Sequence, residues 1–144
     1  MLRAPTEGED LVADYRELGL TLGRHPLALL RNRLAARDLL TAAELRAVPA
    51  GQRVRTAGLV LVRQRPGTAS GVIFVTIEDE TGVTNLIIWR NLAQRYRQAV
   101  YESRLLAVEG VVQREGLVLH LVAERLVDRS QWLGRLLTRS RDFH

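Results

Sequence analysis

The chain has 144 residues, 47% of them apolar, a net charge of +5 and no cysteine. That length holds one domain with a modest extension, and the missing cysteine excludes disulfides, thiolate catalysis and cysteine-ligated zinc. No uninterrupted apolar run of about 18 residues occurs, which argues against a membrane-spanning helix, and no apolar segment follows Arg3, which argues against a secretory signal and for a cytoplasmic location.

Residues 1–10 read as a disordered lead-in. From residue 11 to 22, Leu11, Tyr15, Leu18 and Leu22 recur at helical steps, and Gly23 ends the pattern. His25-Pro26 starts a second helix, since proline suits a first helical turn, and Leu27, Leu30, Leu34 and Ala35 form its buried stripe. Thr41 and Glu44 have the spacing of a capping box, in which each side chain takes up a backbone N–H near the other residue. Pro49-Ala50-Gly51 then marks the clearest boundary, so 11–48 is expected to be a helical subdomain.

Beyond it the period changes to two. Residues 53–63 form a first strand whose Gly58 points to a bulge or sharp coil where a Cβ would obstruct. After a loop over 64–70, two strands flank the turn Glu80-Thr81-Gly82. Residues 90–103 read as one helix with Leu92, Tyr96, Ala99 and Val100 inward. Residues 105–113 and 117–127 form the last two strands around a tight turn at Glu115-Gly116. Residues 129–144 are a basic tail with a short helix near 132–137. The order β-β-β-α-β-β over 52–128 is that of a five-stranded OB-fold barrel, here preceded by a small helical subdomain, so the chain is expected to be mainly β. Such barrels commonly bind oligonucleotides on strands two and three and on the adjoining loops.

Side chains alternate along a strand, so Ile73, Val75 and Ile77 share the core face, and Thr84, Leu86 and Ile88 join them from the third strand. Phe74 and Thr76 then share the outer face with Asn85, Ile87 and Trp89. An aromatic there suits base stacking, Asn85 suits a base edge or sugar, and Arg53, Arg55, Arg63 and Arg65 suit phosphates. Two readings of Phe74 stand: a stacking platform, or packing against 11–48. Trp89 likewise either stacks or plugs the barrel bottom.

All 21 basic residues are arginine. A GC-rich coding sequence accounts for most of that bias, but its distribution is informative. Residues 1–50 balance seven arginines against seven acids, whereas 53–65 carry four arginines and no acid, and 129–144 carry Arg129, Arg135, Arg139 and Arg141 against Asp142 alone. The surplus suits an anionic partner. Glu78-Asp79-Glu80 has the look of a carboxylate cluster, yet reads better as a solvated strand end in which Asp79 bonds turn amides. His25 reads as a cap or surface residue and His120 as solvent-facing. No nucleophile elbow or phosphate-cradling glycine loop is present, and no metal, cofactor or small-molecule substrate is expected.

Residues 64–89, QRPGTASGVIFVTIEDETGVTNLIIW, resemble the OB region near the C-terminus of bacterial error-prone DNA polymerases, C-family paralogues of the replicative polymerase III alpha subunit. Residues 14–27, DYRELGLTLGRHPL, are similar to the segment preceding that region, and 140–144, SRDFH, to the family's ending. The Phe74-x-x-Ile77-x-Asp79 shape is also shared by the anticodon-binding domains of class II tRNA synthetases. The polymerase resemblance implies a single-stranded DNA contact in translesion synthesis and DNA repair. It also implies partners among the rest of the polymerase and the mutagenesis-cassette proteins. The family's palm, with its catalytic aspartates, has no counterpart here, so this chain is not expected to polymerise. A protein-docking OB module and an anticodon-type RNA-binding domain are the alternatives.

Overall fold

The computed structural model describes residues 19, 23–65, 67, 70–134 and 136. The expected lead-in, nearly all of the helix over 11–22 and most of the basic tail lie outside the described residues. Among the described residues, three short helices precede the strands: α1 (Pro26–Leu29), α2 (Arg31–Ala35) and α3 (Ala42–Leu45). Five strands follow, β1 (Arg53–Gln64), β2 (Ile73–Asp79), β3 (Gly82–Ile88), β4 (Leu105–Glu115) and β5 (Val118–Asp128), with α4 (Arg90–Arg95) and α5 (Arg97–Glu102) between β3 and β4. The sheet closes in the order β1-β2-β3-β5-β4, all pairs antiparallel except β3 with β5. This is the expected OB barrel.

The alternation along β2 is realised in full. Ile73, Val75 and Ile77 are buried together with Leu86, Ile88, Val108, Val112 and Leu121, and Thr84 is buried beside them. A second apolar cluster lies outside the barrel. There Leu27, Leu30, Leu34 and Leu39 of the helical region pack with Leu59, Leu105, Trp132 and Leu133. Gly58 marks a close approach, since a Cβ would lie 2.9 Å from both the N and O of Glu78. The bulge itself falls just beyond, between Val60 and Val62. The single helix expected over 90–103 is instead two pieces that break at Tyr96 (φ −111°, ψ 39°). Leu92 and Tyr96 pack partly, and Ala93, Ala99 and Val100 fully, into the barrel core.

The helical region is clasped to the barrel by the β2–β3 turn, and here the expectation of a solvated acidic strand end is corrected. Asp79 is 4% exposed. Its Oδ1 accepts from the Thr81 and Gly82 amides at 2.7 and 3.1 Å and from the Thr81 hydroxyl, while Oδ2 accepts from the Ala42 amide at 2.7 Å. The turn bonding was expected; the bond to α3 was not. Glu80 accepts two hydrogen bonds from Arg31, at 2.6 and 2.8 Å. His25 caps α1 by accepting from the Leu27 amide at Nδ1, so its Nε2 carries the proton and donates to Glu78 at 3.0 Å. The Thr41–Glu44 capping box is formed. The cluster therefore binds the helical region, whose partner residues lie 37 to 53 residues away in the chain.

Arg63 also departs from its expected role. The bulge reverses the parity of β1, so Val62 and Gln64 face outward opposite Thr76 and Phe74, and Arg63 turns toward the end of α5. It donates to the carbonyl of Val100 at 2.6 Å and to that of Ser103, satisfying acceptors that a helix end leaves open. Burial lowers its pKa from the ordinary arginine value, with the Asp128 charge opposing the shift.

Two stability predictions follow from these contacts. Replacing Arg63 by alanine strands those carbonyls and is expected to cost about 2–3 kcal/mol in chemical denaturation; a variant as stable as the parent would show that the bonds are idle. Burial raises the pKa of Glu80, but the hydrogen bond and charge of Arg31 outweigh it and leave the net shift downward. A carboxyl depressed in the folded state adds stability above its unfolded pKa and loses it as pH falls through the folded one. Arg31→Ala is thus expected to lower stability by about 1–3 kcal/mol at neutral pH, with the gap to wild type closing in acid below the carboxylate range. A gap that persists unchanged in acid would contradict the pairing.

Candidate nucleic-acid interface

The outer surface of β2, β3 and β5 is organised in two rows that cross the strands. Phe74 pairs with Ile87, Ile87 with Val122 and Val122 with Val111. All four are half-buried. One step along, Thr76 pairs with Asn85, Asn85 with His120 and His120 with Gln113. The first row is aromatic and aliphatic; the second is polar. The rows are two residues apart along each strand, a rise of about 6.6 Å, so together they make a strip about the width of a nucleobase, with a π-face at one end and hydrogen-bonding groups alongside.

Within the polar row the Thr76 hydroxyl donates to Asn85 Oδ1 at 3.3 Å. That bond orients the amide and leaves its two N–H donors directed away from Thr76. His120 Nδ1 is buried and has no hydrogen-bond partner among the described residues.

The eight residues singled out in the sequence fall into four groups. Phe74, Thr76 and Asn85 are contiguous on β2 and β3, and Trp89 follows β3 directly at 53% exposure. Trp89 therefore does not plug the barrel bottom. Arg65 lies past the end of β1, where it donates to the hydroxyl of Tyr101 and sits 5.5 Å from the centre of that ring. Arg63 is turned inward, as described above. Arg53 and Arg55 lie on the β1–β4 side, opposite Val111 and Glu109. Arg53 is paired with Glu124 at 2.5 Å and Arg55 with Glu109 at 3.3 Å. Their positive charge is already met by carboxylates.

Sequence reasoning did not include His120, Gln113 and Val122 in the site. The alternation around His120, between Leu119 and Leu121, is legible, but the parallel pairing that sets β5 beside β3 has no local signal. Among the described residues, no group of three or more histidine, aspartate or glutamate side chains is arranged to hold a metal ion, and no helix is long and apolar enough to cross a membrane.

Comparison with known proteins agrees with this architecture. The family model for the OB-fold nucleic acid binding domain matches residues 54–128. Over 99% of its length the chain is 61% identical to the error-prone DNA polymerase of Alkalilimnicola ehrlichii and 58% identical to that of Azoarcus sp.. It spans only 14% and 13% of those relatives. Among solved structures, asparaginyl-tRNA synthetase from Pyrococcus horikoshii complexed with asparaginyl-adenylate superposes with a TM-score of 0.54 at 24% identity, covering 64% of this chain and 22% of that one. The OBody AM1L10 bound to hen egg-white lysozyme gives 0.51 at 16%, covering 64% and 91%. Both likenesses concern the fold alone. The barrel's order, its closed sheet and the match over 54–128 together show that this chain belongs to the family of OB-fold nucleic acid binding domains.

Proposed function

We propose that the outer face of β2, β3 and β5 binds single-stranded DNA, and that it does so within a cytoplasmic error-prone polymerase engaged in translesion synthesis and DNA repair. The observation that carries the reading is the pairing of the Phe74–Ile87 row with the Thr76–Asn85–His120 row on the exposed side of an OB barrel. Phe74 and Trp89 offer stacking surfaces, which tolerate any base. Asn85, oriented by Thr76, offers amide donors to a base edge or sugar. Arg65 supplies charge for the phosphates. Arg53 and Arg55, being carboxylate-paired, contribute only if a phosphate displaces Glu124 or Glu109. The likeness to error-prone polymerases over nearly all of the chain supports the choice of DNA over RNA. In this reading the chain contacts template, the remainder of a longer polymerase performs the chemistry, and mutagenesis-cassette proteins are its partners.

A second reading has its own observation. Leu117, at the tip of the β4–β5 hairpin, is 103% exposed, and Val118 and Val83 stand exposed at the same end of the parallel β3–β5 pair. Three apolar side chains together suit a protein contact, such as another part of the polymerase. A Leu117→Asp variant that keeps oligonucleotide affinity but no longer co-purifies with the remainder of the polymerase would assign that end to protein docking; retained co-purification would reject it.

For the DNA face, Phe74→Ala is expected to weaken oligothymidylate binding by about 1–3 kcal/mol, the value of one stacked base, in fluorescence anisotropy at fixed salt. Asn85→Ala is expected to weaken it by about 1 kcal/mol. Wild-type affinity in both variants would reject this face as the binding surface.

A further inference from the structure

Beyond the Phe74 end of the sheet, a groove of about 450 Å³ opens between the start of β2 and helices α4 and α5. Its walls include Arg65, Arg90, Gln94, Arg97 and Tyr101, with Ile73 at its base. Its arginines differ from those on the β1–β4 side in having no carboxylate partner among the described residues. Arg31, Arg53, Arg55 and Arg125 each face a carboxylate. Arg65, Arg90 and Arg97 face none within ion-pairing distance among the described residues, and the nearest acid in the adjoining wall is Glu102 alone.

The groove is also built rather than incidental. Arg65 lies over the Tyr101 ring and bonds its hydroxyl, which holds the guanidinium at the rim. Gly71 has φ +68°, and a Cβ there would come within 2.9 Å of Arg90 Cδ, so the absence of a side chain lets the Arg90 stem lie along the backbone. Three unneutralised guanidiniums around one concavity form a strongly attractive field for a polyanion.

The groove is continuous with the proposed binding face. Trp89 is exposed and joins Ile87 of that face to Arg90 of the groove within three residues of chain. We infer that the sugar-phosphate backbone of a bound single strand leaves the sheet across Trp89 and runs into the Arg65–Arg90–Arg97 groove, which forms a second, sequence-independent contact. The inference rests on the single-stranded DNA reading above and adds Arg90 and Arg97, which that reading does not need.

The length of the strand separates the two. OB barrels occupy about 4–16 nucleotides, so the 144-residue chain is titrated with oligothymidylates of about 5 and about 15 residues over a range of salt. The Arg90→Gln/Arg97→Gln double variant is expected to bind the short strand as wild type does. It should bind the long one about tenfold more weakly, with a salt slope reduced by about 1.4, because each lost phosphate contact on a single strand removes about 0.7. Both residues are exposed, and a melt of each variant verifies the fold. Wild-type affinity and slope on the long strand, or an equal loss on both strands, would overturn the groove while leaving the face in place. Failure of the wild-type chain to bind either strand would overturn the face, and the groove with it.

Discussion

The structure depends on one constraint: a closed five-stranded barrel has room inside for only one side of each strand. Ile73, Val75 and Ile77 fill it from β2, and Leu86 and Ile88 from β3, all at most 2% exposed. A slip of one residue would put Thr76 and Glu78 among those side chains and expose three large aliphatic groups to water. Burying an unpaired carboxylate costs far more than any gain elsewhere. The outward position of Phe74, Thr76, Asn85 and Ile87 is therefore a consequence of the core, and the character of the face is fixed by the packing behind it.

Charge is distributed along that face in a way the core does not dictate. At the β2–β3 turn the acids are consumed internally, Glu80 by Arg31, Glu78 by His25 and Asp79 by backbone amides of the turn and of α3. The helical region that provides these partners thus does more than cover Leu59 and Leu105; it hydrogen-bonds the carboxylates at one end of the sheet and sets the charge of Arg31 beside Glu80 and Asp79. At the opposite end Arg65, Arg90 and Arg97 face no carboxylate within ion-pairing distance among the described residues. The resulting surface is apolar and polar in the middle, with its acids hydrogen-bonded internally at one end and cationic at the other, which is a suitable track for a strand whose bases stack and whose phosphates need counter-charge.

Much of this was legible from residue order alone. The alternation over 73–77 and 84–88 and the capping box at Thr41 and Glu44 have local causes, and the structure shows each of them. What the sequence hid has non-local causes. The bulge after Val60 reverses the parity of β1, so Arg53 and Arg55 point out while Arg63 points in, although a simple count puts all three on one side. The acidic turn seemed solvent-directed because His25, Arg31 and Ala42 lie far away in the chain. His120 read as solvent-facing because the parallel pairing of β5 with β3 leaves no trace in either strand.

The central claim is that the exposed side of β2, β3 and β5 is where nucleic acid binds. It is tested most directly by following backbone amide resonances of the 144-residue chain while an oligothymidylate is added. The account predicts shifts clustered at Phe74, Thr76, Asn85, Ile87 and His120 and extending to Trp89 and Arg90, with Arg53, Arg55 and helices α1 to α3 unmoved. Shifts centred on the β1–β4 side or on the helical region, or none at saturating oligonucleotide, would contradict it.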